Sequence, residues 1–107
     1  MGAMIDKAQA AIDKVNELGD LKGKIFTEFD PNRILAAAAK AEEMAAANPD
    51  LPLAGMLVSI KDLYDEAGIA TTAASKLLLD RAPADQDCDV VAQVKKAGAI
   101  PFGRTSL

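Results

Sequence analysis

The stretch that decides the fold is "LAGMLVSIKDLYDEAG", residues 53–68. Its first half reads as a buried strand over 55–61, with Met56, Val58 and Ile60 on one face and Ser59 and Lys61 on the other. The strand then delivers Lys61 into an acidic turn, Asp62, Asp65 and Glu66, that closes on Gly68. The chain contains no histidine, so lysine is one of few side chains left to act as a base near neutral pH. A lysine serves as a base only when its neutral form is populated, which burial or a neighbouring cation promotes. On pattern alone, a lysine at a strand end beside Asp62 or Asp65 reads as a structural or solvated charge.

Outward from this strand, the flanking segments alternate helix and strand. Residues 4–18, "MIDKAQAAIDKVNEL", place Ile5, Ala8, Ile12, Val15 and Leu18 on one helical stripe, with Gly19 as the expected cap. "GKIFTEF" (23–29) alternates apolar and polar residues and reads as a short strand. "DPNRILAAAAKAEEMAAANP" (30–49) opens with Asp30 as N-cap and Pro31 at the first helical position, and must stop before Pro49. "TTAASKLLLD" (71–80) reads as a short helix from near Thr72, and "RAPADQD" (81–87) as a loop. "CDVVAQVKKAG" (88–98) is acidic at its start and basic at its end, as the helix dipole favours, with Gly98 as cap. "AIPFGRTSL" begins a further strand. This alternation predicts an α/β fold with a parallel sheet, a small partial three-layer arrangement with covering helices. Residues 1–107 form a single partial domain, with residues 1–4 read as an ordinary or expression-derived start.

Composition limits the function. Half of the 107 residues are apolar, but aromatic content is 4% and tryptophan is absent. The core is alanine-rich and light, so burial is expected to need a partner or further sequence. The net charge of −4 and the lack of a basic, aromatic-interleaved stripe argue against nucleic acid and anionic membranes. No apolar run approaches the roughly 20 residues of a membrane span. The single cysteine, Cys88, points to a cytoplasmic location by default. Without histidine, neither a Ser–His–Asp triad nor a Cys–His pair exists, and a metal site is improbable. The glycines form neither a dinucleotide-binding fingerprint nor a P-loop, and no cofactor is expected. Asp87 and Asp89 flank Cys88 and disfavour its thiolate. Asp65 and Glu66 share one turn and read as solvated charge, unlike the facing carboxylates of a glycosidase.

The string "PLAGMLVSIKDLYDEAGIATTAASKLLLD", followed by "DCDVVAQVKKAGAIPFGRTSL", resembles the N-terminal part of the amidase signature family. That family's theme runs P-L-x-G-I-P-V-S-I-K-D, then T-T-x-x-S, D-x-x-V-V-x-x-L-x-x-A-G-A and G-K/R-T-N. With "KIFTEFDPNRIL" before it, the resemblance covers residues 24–107 in one order. It implies amide-bond hydrolysis by a Ser–Ser–Lys triad, with Lys61 as the general base and Asp62 as a supporting partner behind it. Such a triad needs no histidine. Both family serines lie in a Gly/Ser-rich segment after the lysine. Ser59, Ser75 and Ser106 stand in no such context, so none inherits either role. Leu57 replaces the family's usual proline, and Ser106 its usual asparagine. Arg104 and Thr105 would line or brace the site in a longer relative; as strand-end polar residues they read equally as structural here.

The resemblance thus implies an N-terminal amidase piece, inactive alone, expected to self-associate or to dock with a missing C-terminal half. The other possibilities are a standalone oligomeric interaction module and one half of a split amidase. Between a general amidase and the subunit that releases ammonia for transamidation of charged tRNA, "KDLYDEAG" looks more like the former, but the substrate stays open.

Overall fold

The structure, a computed structural model, describes residues 2–61, 64, 66, 69 and 86–105. Within them the order is α1 (Ala3–Asn16), α2 (Asp20–Ile25), β1 (Phe26–Glu28), α3 (Pro31–Ala47), β2 (Leu57–Lys61), α4 (Asp89–Lys96) and β3 (Ile100–Thr105). The strands form one three-stranded sheet in the order β1-β3-β2, an α/β arrangement. The expected helix from Thr72, the turn residues Asp62 and Asp65, and Ser75 and Ser106 lie outside the described residues.

The helices form where capping and periodicity ask for them. Asp30 has extended backbone, and its carboxylate accepts from the Asn32 amide at 3.0 Å, with Pro31 in the first turn. The helix ends at Ala47, before Pro49. The cap satisfies an amide that the helix itself leaves unpaired. Asp30→Ala is therefore expected to cost about 1 kcal/mol of stability, within a range of roughly 0.5–2, measured by urea unfolding. An unchanged midpoint would show that the cap is dispensable.

The α1 stripe buries Ala8, Ile12 and Val15 against Ile34, Ala38 and Ala41 of α3 and Ile100 and Phe102 of β3. Alanine on both helices allows close approach, which is how a core short of large side chains still excludes water. The aromatics concentrate at one end. Phe102 meets Phe26 and Phe29 edge-on, with centroids 6.1 and 5.2 Å apart. Gly103 is required there, because a Cβ would stand 2.9 Å from the Phe26 ring.

Four expectations are corrected. The sheet is mixed, since β2 pairs parallel to β3 but β1 pairs antiparallel; an apolar alternation reads the same in both directions and carries no strand polarity. Residues 23–25 belong to α2, and only Phe26–Glu28 reach β3 to pair. Gly19 does not end α1; with φ of 59° it turns the chain into α2. The strand begins at Leu57 and not at 55, because Gly55 (φ 77°) still belongs to a turn. Met56 is consequently exposed, whereas Ile60 is buried. Gly98 has the expected positive φ, 96°, after α4.

Candidate functional site

Lys61 is the last residue of β2 and lies beside Thr105 of β3 in parallel register. Its side chain is exposed, as is that of Ser59. The Tyr64 amide donates to the Lys61 carbonyl at 3.2 Å. Lys61 thus stands at the carboxyl end of a strand, the edge of an α/β sheet where reactive groups collect. Asp62, its expected supporting partner, lies outside the described residues.

Behind this strand end is a charged cluster. Arg104 is fully buried and Glu66 is 3% exposed. The Arg104 guanidinium reaches Glu66 Oε1 at 3.4 Å and donates to the Tyr64 carbonyl at 2.7 Å. Glu66 Oε2 also faces Arg33 Nη1 at 3.4 Å and Lys95 Nζ at 3.7 Å. Arg33 is paired with Glu28 as well, and Lys95 with Asp87 at 3.0 Å. Among the described residues, the cluster thus joins the carboxylates of Glu28, Glu66 and Asp87 to the cations Arg33, Lys95 and Arg104.

The register of β3 explains how an arginine in an apolar strand finds this cluster. Leu57 and Val58 pair with Ile100 and Pro101, but Ile60 pairs with Arg104, so β3 carries one extra residue at the shift. Such a bulge re-aims the side chains beyond it. Ile100 and Phe102 face the helical core, and simple alternation would send Arg104 there too. The extra residue instead sets Arg104 on the face of Ile60, toward Glu66.

Reading Glu66 as solvated charge is thus corrected: it is buried at the centre of the cluster. The missed signal was Arg104 within "IPFGRT". A cation in a buried strand requires a carboxylate, and the turn after β2 carries candidates. Arg104 contacts Glu66 and the Tyr64 carbonyl, both after Lys61 in sequence, from the central strand. Cys88 is half-buried at the start of α4 and caps it with no side-chain bond. Among the described residues no group of three or more His, Cys, Asp or Glu side chains could hold a metal. None of their helices is long and apolar enough to cross a membrane.

Comparison with known proteins gives consistent matches. The family model described as Amidase matches residues 3–107. The chain is 36% identical over 102 residues to a Glutamyl-tRNA(Gln) amidotransferase subunit of Geobacter metallireducens, covering 95% of this chain and 19% of that protein. Against the corresponding protein of Thermus thermophilus it is 36% identical over 103 residues, covering 96% and 20%. The chain therefore spans about a fifth of the length of these curated relatives. Among solved structures it superposes with a TM-score of 0.81 and 30% identity on a chain of a vestigial protein complex said to reveal the evolutionary origins of an s-triazine catabolic enzyme, covering 97% of this chain and 23% of that one. An amidase family protein from Bacillus anthracis matches with a TM-score of 0.68 and 28% identity, over 98% and 24% of the two chains.

Proposed function

The chain belongs to the amidase family, and from that premise we propose that it supplies the general base, Lys61, for amide-bond hydrolysis by a Ser–Ser–Lys triad. The two serines come from polypeptide outside these 107 residues, and the chain alone is inactive. The observation that supports this reading is the position of Lys61, ending β2 within "SIKD", exposed and free to meet a docked surface. The buried Arg104–Glu66 pair behind it gives that strand end a fixed support. Without a nucleophile and oxyanion donors, most transition-state stabilisation is missing.

The partner in this reading is a C-terminal amidase half. Among the described residues β2 pairs only with β3, and its other edge is where a further strand would add in this reading. Self-association along the same edge is the competing outcome. Ammonia release from glutamine is a second reading, favoured by the curated relatives, which are glutamyl-tRNA(Gln) amidotransferase components. The lone cysteine suits a cytoplasmic site of action.

The test is reconstitution. The chain is mixed with the remaining part of one of these amidotransferase relatives, produced without its matching N-terminal segment. Ammonia release is then measured from glutamine and from a simple aromatic amide. Activity should emerge only in the mixture, and the preferred amide separates the two substrate readings. Co-purification of the two parts without hydrolysis of either amide would overturn the proposal, as would activity of the 107-residue chain by itself.

A further inference from the structure

A second feature lies on the Pro101 side of the sheet and does not depend on the amidase reading. Between α3, α4 and β3 is a cavity of about 340 Å³ whose apolar wall is made by Ala37, Ala41, Met44, Ala99 and Pro101. Its volume falls within the roughly 300–1,000 Å³ of small-molecule sites. The alanines of α3 make the room, since each leaves space that a longer side chain would fill.

Among the described residues, the charged ones at this cavity are Arg33, Lys40, Lys95, Lys96 and Glu66. Four of these are cations, on a chain whose net charge is −4. Arg33 and Lys95 are already committed to the cluster around Glu66. Lys40 and Lys96 are the other two. Both are exposed, one from α3 and one from the last turn of α4, and neither makes an ion pair with a described residue. An anion reached by both lysines would gain from each charge, and the adjoining wall favours an apolar body over a fully hydrated ion.

We propose that this cavity binds a small amphiphilic anion, its head group held by Lys40 and Lys96 and its short apolar body lying on the wall formed by α3 and Pro101. The head group sits at the rim, where both lysines keep partial hydration, and the body covers Met44, Ala41 and Ala99.

The probes are octanoate, octylammonium and acetate, each titrated into the 107-residue chain while the Met44 methyl and the α3 alanine methyls are followed by NMR. Octanoate should shift them saturably, octylammonium should not, and acetate should be much weaker for want of an apolar body. In the Lys40→Glu/Lys96→Glu variant, octanoate affinity should fall about tenfold, the scale of two partly exposed charge contacts. Lys40→Gln/Lys96→Gln removes the charges without adding new ones and should show a smaller loss in the same direction. Added salt should weaken octanoate binding. Equal binding of octylammonium, unchanged affinity in both double variants, or no saturable shift with octanoate would each overturn the proposal.

Discussion

Glu66→Ala is expected to destabilise the chain by about 3–5 kcal/mol, the cost of breaking one partner out of a buried ion pair. Arg104 is fully buried and keeps the Tyr64 carbonyl, but loses the Glu66 carboxylate. Arg33 and Lys95 then face it without the anion that held all three cations together. A small domain has only about 5–15 kcal/mol of stability in total, so the variant should be close to unfolded at room temperature. The paired variant Glu66→Leu/Arg104→Met tests the cause. It removes both charges and leaves apolar groups of similar size, which is often neutral or stabilising. Urea unfolding should place it within about 1 kcal/mol of the parent, or above it, despite losing the same contact. A Glu66→Ala chain that unfolds within about 1 kcal/mol of the parent would mean that water reaches Arg104 and that the cluster is not a low-dielectric site.

The same cluster shows where the sequence could be read and where it could not. The α3 start was legible because Asp30 and Pro31 act locally, through one amide and one fixed φ. The α1 stripe was legible because a helical period survives any tertiary arrangement, although Leu18 at its end is exposed, beyond the last helical residue. Strand direction was not legible, and neither was the face of Arg104. Both depend on pairing across the sheet, and a single extra residue in β3 reverses which side a later residue faces. Glu66 illustrates the same limit. Its neighbours in sequence are acidic and suggest water, but its neighbours in space are three cations from α3, α4 and β3. The reading of Lys61 has a different basis. The role proposed for it rests on the "SIKD" string through family resemblance, and the fold contributes only its location at a strand end.

That location makes Lys61 separable from stability, which gives the second large effect a clean readout. In the reconstituted mixture, Lys61→Met is expected to lower the rate of ammonia release by on the order of 10³-fold or more, the scale of removing a positioned base that works as a unit with its nucleophile. Because the side chain is exposed and makes no ion pair with a described residue, unfolding of the isolated chain should move by no more than about 0.5 kcal/mol. Lys61→Arg preserves the charge but cannot give up a proton, so it should be as inactive as Lys61→Met. That result distinguishes a base from a cation that merely attracts the partner. Ser59→Ala, one turn of the strand's pleat away on the same exposed face, should leave the rate within about threefold, because surface changes away from special features are small. Were Lys61→Arg to keep most of the activity, the lysine would be a docking charge and the base would have to be sought elsewhere in the assembled enzyme. Were Lys61→Met to keep it while co-purification weakened, the chain's contribution would be the surface it presents at the β2 edge and not the chemistry at its end.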